Sequence, residues 1–346
     1  ITDFTRGNVM KQLLIFGIPL ISANFLQIIY NTVDMIVVGK VNGKIGLAAV
    51  SVGGDVTEFL TLLVMGFSNA AQVIIAQYLG AGQKKDLGKF IGTFASFLGI
   101  MAVSVTTVSM ILRKHIMNWM NTPSEAYTQA LAYSTVVMCG IIFIYGYNAV
   151  SAIMRGLGDS RHPFFVIACS ATLNIILDIA FVYYLKLGAG GAALATVISQ
   201  GCSFIGAFIF LLRNRERLGF EMHREYFRIE GVYLKKLVKL GIPMAIKGAA
   251  AGFTRLFTNS WMNSYGLIVA AVTGIGNKIF SISILISNAL NTCEEIKAVL
   301  VGIREDVRAQ IAAAAAPKTA VTCSHCGAST IPDANGRCEY CGGSVL

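Results

Sequence analysis

The feature that most constrains this chain is a polar stripe inside its first long apolar run. From Gly17 to Gly39 the run is long enough to cross a bilayer, yet it carries Asn24, Gln27, Asn31 and Asp34. Spacings of three and four residues put those side chains on one face of a helix. A carboxylate inside a spanning helix costs about 2.5–3.5 kcal/mol even on the mild insertion scale, so the stripe must face protein or water. One reading is polar glue between helices. The other is the edge of a water-filled cavity that holds an ion or a proton. Intramembrane acids are functional by default, which favours the cavity.

Similar apolar runs recur along the whole chain. Of its 346 residues, 55% are hydrophobic and only 13% charged, with a mean hydropathy of +0.66. Such a composition excludes a soluble domain and predicts an all-α polytopic membrane protein. Eight spans are expected near 13–38, 56–79, 90–112, 126–148, 164–185, 189–212, 237–262 and 267–292. The net charge of +10 does not point to nucleic acid, because the basic residues form no aromatic-studded patch. They sit in alternate loops, fifteen on one side and five on the other. That excess places both termini in the cytoplasm of a cell with a bacterial-type inner membrane, the chain crossing it many times. The chain begins with Ile1, so a natural start is expected upstream, and no cleavable signal peptide is visible.

The runs also repeat. Gly17-Ile-Pro19 recurs as Gly241-Ile-Pro243, Leu47-Ala-Ala-Val-Ser51 as Val269-Ala-Ala-Val-Thr273, and Gly54-Asp55 as Gly276-Asn277. Spans seven and eight therefore echo spans one and two, and the repeating unit is a six-helix bundle in parallel orientation. Paired bundles with a midplane site are a transporter architecture. Residues 1–212 read as a complete N-lobe, 213–236 as a basic cytoplasmic linker and 237–292 as two helices of a second lobe. Pro19 lies inside span one, where it removes a backbone hydrogen bond and sets either a static kink or a hinge.

Two further stripes complete the polar constellation. Span five carries Ser170, Asn174 and Asp178; span six carries Thr196, Ser199, Gln200 and Ser203. Two nearby acids repel unless a proton or cation sits between them. Oxygen-only ligands suit a hard cation such as Na⁺, or a shared proton. Asp55 and Glu58 read as a solvated outer end of span two. Lys247, Arg255 and Lys278 have no assigned role, beyond a cavity or snorkelling position for Arg255.

These residues resemble the multidrug and toxic compound extrusion family. The resemblance rests on Asn31-Thr-Val-Asp34 with Val38-Gly39, on Leu47-Ala-Ala-Val, and on Ala76-Gln-Tyr-Leu-Gly80-Ala-Gly82. It continues in Met154-Arg-Gly-Leu-Gly-Asp159-Ser-Arg-His-Pro163, in Leu173-Asn174-Ile-Ile-Leu-Asp178 and in Gly190-Gly-Ala-Ala-Leu-Ala-Thr196. It implies twelve spans in two lobes, no enzymatic activity, and antiport of small organic cations or drugs against Na⁺ or H⁺. The positions matching the family's N-lobe cation site are Asp34, Asn174, Asp178 and Thr196, and Pro19 matches the bending proline. Many members place a proline after the span-five acid; here it is Ile179.

Beyond residue 292 the family pattern stops. Residues 293–317 carry Ile296, Leu300, Ile303, Val307 and Ile311 on one face, an amphipathic soluble helix rather than a span. Residues 318–346 hold Cys323-Ser-His-Cys326 and Cys338-Glu-Tyr-Cys341. Paired CxxC turns bring four thiolates to a tetrahedral structural Zn²⁺, as in a zinc ribbon. Two disulfides are the rival reading, disfavoured in the cytoplasm. The ribbon is open to a protein partner, and nothing in it is basic enough for nucleic acid. Three functions stay in contention: a cation-coupled exporter, impaired here by missing helices; a non-transporting, membrane-anchored zinc-ribbon protein or recombined chimera; and a lipid-linked oligosaccharide flippase.

Overall fold

The structure is a computed structural model that describes residues 9–215, 218, 220, 223–281, 321–330 and 337–344. The expected amphipathic helix at 293–317, the end of the eighth span and part of the basic linker lie outside the described residues. The chain divides into two units, Ile1–Leu290 and Asn291–Leu346.

The first unit is helical. Its order is α1 (Val9–Gly80), α2 (Lys84–Trp119), α3 (Ser124–Gly156), α4 (Arg161–Asp178), α5 (Gly188–Arg213), α6 (Gly231–Asn263) and α7 (Leu267–Ser281). A π-helical turn, Ile179–Tyr184, follows α4, and a 3₁₀ turn, Arg224–Phe227, precedes α6. The helices of 15–80, α2, α3, Arg161–Tyr184 and α5 are long and apolar enough to cross a membrane. Helix α6 is long enough, but Lys239, Lys247 and Arg255 break its apolar run.

Helix α1 contains both of the first two expected spans. A straight helix of 72 residues would be about 108 Å long. Instead the chain doubles back at Gly43, which takes φ 60° and ψ −146°, a conformation that glycine alone reaches without strain. The reversal brings Gly39 against Leu47 and Val38 against Gly46. Those pairs are eight residues apart and would be separated by about 12 Å in a straight helix. Pro19 sits within continuous helix, so the sharp turn of α1 is set by glycine and not by proline.

Helix α3 lies at the centre, packed on α1, α2 and α5. Small residues let these helices approach closely, the usual device where lipid supplies no hydrophobic drive between them. A Cβ on Gly140 would fall 2.4 Å from Val197, and one on Gly146 would fall 2.7 Å from Phe204. Between them the core is filled by Phe90, Phe94, Met138, Ile141 and Tyr145, whose hydroxyl donates to the Leu60 carbonyl at 2.7 Å. On the outer surface Ile100, Val103, Ile111, Phe165 and Trp261 are exposed, as a lipid-facing surface requires. Cys139, Cys169 and Cys202, expected as packing residues, are also exposed; Cys293 lies outside the described residues.

Helix α6 packs on the second half of α1. Gly66 is so near Ala245 that a Cβ there would come within 2.3 Å of its backbone, whereas Gly241 stands against the Phe67 ring, 2.5 Å from where a Cβ would lie. Backbone cannot yield as a side chain can. Gly66→Val is expected to lower stability by about 1–3 kcal/mol, seen as a fall in the thermal unfolding midpoint in detergent. Gly99→Ala, which meets open space, should leave the midpoint unchanged.

The second unit is small. Strands β1 (Val321–Thr322) and β2 (Ser329–Thr330) pair antiparallel, and Arg337 bridges to Ser344. Each hairpin turns around one CxxC.

Candidate functional site

The stripe on α1 faces a cavity of about 580 Å³, within the range of small-molecule sites. Asn24, Gln27, Asn31 and Asp34 all line it, as do Thr196 and Gln200 of α5. Ser170 and Ser199, expected in the cavity, do not line it. Ser170 donates instead to the Ser199 carbonyl at 3.0 Å, and Ser203 donates to the same oxygen at 2.9 Å. Those serines tie α4 to α5, because their helix face turns toward the neighbouring helix rather than the opening.

Asp34 lies at the inner wall. It is 3% exposed; Asp178 and Asn174, immediately behind it, are 0% and 1% exposed. Thr196 connects them: its hydroxyl reaches Asp34 Oδ2 at 3.4 Å and accepts from Asn174 Nδ2 at 3.4 Å. It is also held to the Ala192 carbonyl at 3.0 Å. The carboxyls of Asp34 and Asp178 face one another closely enough for one to hydrogen-bond the other when a proton is present. Four oxygens here have no hydrogen-bond donor: Asp34 Oδ1, Asn174 Oδ1 and both oxygens of Asp178. Buried acceptors without donors are rare and costly. So the four residues from three helices form an acceptor-rich cluster suited to a proton or a hard monocation. The π turn begins at Ile179, directly after Asp178; π-helical turns often mark functional sites.

Sequence reasoning missed several members of the cavity. Tyr30, four residues before Asp34, lines it and accepts from Gln200 Nε2 at 3.3 Å; its helical spacing from Asp34 was the signal that could have found it. Tyr133, Arg155, Glu58 and Lys278 also line it. Arg155 lies in the last turn of α3 and donates to Gln72 Oε1 at 2.9 Å. The Asp159 motif is a turn: its carboxylate accepts from the His162 amide at 3.2 Å and contacts its ring at 2.6 Å.

Glu58 keeps a partly exposed side chain, but Asp55 is not a solvated end. Asp55 is 7% exposed, accepts from Asn259 at 2.7 Å, and pairs with Arg255, which also binds Glu58. Asn277 of α7 donates in turn to Asn259 at 3.3 Å. Arg255 is thereby explained as a clamp between α1 and α6. A similar set lies at the other end of α6: Tyr233 donates to Asp86 at 2.7 Å, Lys236 to the Tyr78 hydroxyl at 2.8 Å, and Glu230 pairs with Lys89 at 3.1 Å.

In the second unit the sulfurs of Cys323, Cys326, Cys338 and Cys341 lie within 4.8 Å of one another. Cys323 and Cys341 are 3.6 Å apart, and Cys326 and Cys338 are 3.7 Å apart. Sulfurs about 2.3 Å from a tetrahedral zinc would be separated by roughly 3.8 Å, so the cluster fits a metal and is too open for disulfides. The amides of Cys326 and His325 pull the Cys323 thiol down to about 6. Cys341 is pushed up to about 12: the Gly343 amide acts to lower it, but the crowding sulfurs of Cys326 and Cys323 prevail. Four such thiols cannot all ionise unless a cation joins them.

A bundle of apolar helices closing on a polar cavity, with paired acids in its wall, is an arrangement that secondary transporters use. Comparison with known proteins finds relatives of this kind. The MatE family model matches residues 19–180. The chain is 29% identical over 290 residues to the probable multidrug resistance protein YpnP of Bacillus subtilis (strain 168), covering 84% of this chain and 64% of that protein. It is 25% identical over 298 residues to the multidrug export protein MepA of Staphylococcus saprophyticus, covering 85% and 64%. Among solved structures, the MATE multidrug transporter DinF-BH in complex with R6G superposes with a TM-score of 0.75 at 21% identity, over 82% of this chain and 63% of that one. An inward-facing MATE family transporter superposes at 0.73 with 23% identity, over 84% and 67%. Over its membrane region this chain is similar to transporters of the multidrug and toxic compound extrusion family. The chain spans about 64% of the length of these curated relatives.

The clamp makes a stability prediction. Arg255→Met leaves Asp55 buried beside Glu58 without its paired guanidinium, and is expected to cost about 2–3 kcal/mol. Asp55→Asn in the same chain should restore most of that loss in detergent thermal unfolding.

Proposed function

We propose that this membrane region works as a secondary active efflux antiporter for small organic cations or drugs, coupled to Na⁺ or H⁺ at Asp34, Asn174, Asp178 and Thr196. The observation that carries this reading is the set of unpartnered buried oxygens on two facing acids, opening onto a polar cavity. An incoming organic cation and the coupling ion would then compete for one negatively charged place. Asn24, Gln27, Asn31 and Gln200 would supply the polar wall along which the substrate travels, and Pro19 a point where the first half of α1 bends. In this reading residues 1–212 form the first lobe and 237–292 begin the second, with both termini in the cytoplasm of a bacterial-type plasma membrane.

The relatives support the substrate class: they are multidrug resistance and export proteins, and one solved neighbour is a complex with R6G. The test is efflux from proteoliposomes under an imposed Na⁺ or H⁺ gradient. Asp34→Asn and Asp178→Asn should each abolish gradient-driven efflux while folding normally. Unchanged efflux in both variants would end the coupling assignment.

For the tail we propose a structural Zn²⁺ held by Cys323, Cys326, Cys338 and Cys341, in a ribbon that contacts a protein partner. The metal would supply fold stability alone, since four cysteines leave no open position. Metal analysis of the purified full chain should find one zinc, lost on Cys326→Ser with Cys341→Ser; equal zinc in the double variant would refute this.

A further inference from the structure

Helix α7 approaches α1 along a seam of small residues. Ala270 and Ala271 are buried with Ala48 and Ala126. One turn on, Gly274 lies so close that a Cβ would fall 2.5 Å from Ser51 Oγ and 3.1 Å from Met35 Cε. Ala270, Gly274 and Lys278 are spaced by four, so they share a helix face. Contact of Gly274 with Met35 therefore carries Lys278 toward Asp34, the residue before Met35. Both side chains line the same cavity.

An ammonium inside a membrane bundle needs carboxylates to face. Other charged groups of the cavity are already engaged: Glu58 by Arg255, and Arg155 by the Gln72 amide. Asp34 has one oxygen without a donor, and Asp178 stands behind it. The remaining ionisable neighbours are Tyr30, Tyr133 and Tyr147, which carry no charge when protonated, and Asp55, which Lys278 also influences. The charge of Lys278 acts on Asp34.

We propose that Lys278 is a tethered counter-cation of the Asp34 site, which an arriving organic or coupling cation must displace, loosening the α7 seam. This deepens the coupling reading above and rests on it. Displacement would transmit occupancy from the first six-helix unit to a helix of the second repeat. Lys278 acts through Asp34 as a positioning residue.

The experiment uses the full chain in lipid nanodiscs with two readouts. The first is binding of tetraphenylphosphonium. Lys278→Met should bind it roughly tenfold more tightly than the parent, because a competing charge worth a modest coupling energy is gone; Lys278→Arg should behave as the parent. Equal binding by the parent and Lys278→Met, with Asp34→Asn weakening both, overturns the proposal and leaves the Asp34 reading intact. If Asp34→Asn weakens neither, the Asp34 reading itself fails. The second readout is hydrogen exchange over 267–281, which needs no cation. Asp34→Asn and Lys278→Met should each speed exchange, Lys278→Arg should not, and the double variant should be no faster than either single one. Unchanged exchange in both singles, or additive effects in the double, overturns the proposal.

Discussion

Everything in the membrane unit depends on two carboxyl groups confronting each other where water is scarce. Asp34 and Asp178 sit on helices more than a hundred residues apart in sequence, and each is almost wholly enclosed. Their repulsion in a low-dielectric interior is severe, and it falls only when a positive charge enters between them. A packed hydrophobic pair would be the stable solution. Retaining the acids makes sense if their instability is the means by which a cation is bound and released.

The surrounding architecture keeps that arrangement in place. Gly43 folds α1 back on itself, so the polar stripe and the second half of the same helix line one cavity. Small residues let α3, α5 and α6 close around it. Polar ties fasten α6 at both ends, through Arg255 and Asn259 at one and through Tyr233, Lys236 and Glu230 at the other. Ties of this kind, made of a few ion pairs and hydrogen bonds, are strong enough to define a resting state and weak enough to exchange. They are the interactions that movement of α6 relative to α1 and α2 would have to break and remake.

Much of this was legible in the sequence, for reasons that differ by residue. The α1 stripe was readable because a lipid environment makes every polar residue conspicuous, and helical spacing alone assigns it a face. Asp178, Asn174 and Thr196 followed the same logic, and the family motifs pointed to the same positions. Ser170 and Ser199 were misplaced because periodicity gives a face but not the neighbour that the face meets; they join α4 to α5. Asp55 looked solvated because its partners, Arg255 and Asn259, lie some two hundred residues downstream. Arg155 and Lys278 were hidden by helix ends and span edges, which hydropathy locates only loosely. A reversal between the first two expected spans was legible, but its place at Gly43 was not: glycine is common in this chain, and nothing local distinguishes the one that turns.

The account is tested most directly by counting ions. Tetraphenylphosphonium added to the purified chain in detergent should release a cation, read with a sodium electrode or a pH indicator. The account predicts a single Na⁺ or H⁺ released for each organic cation bound, and no release from Asp34→Asn or Asp178→Asn. Stoichiometric binding of the organic cation with no ion released, or release that survives both substitutions, would contradict it.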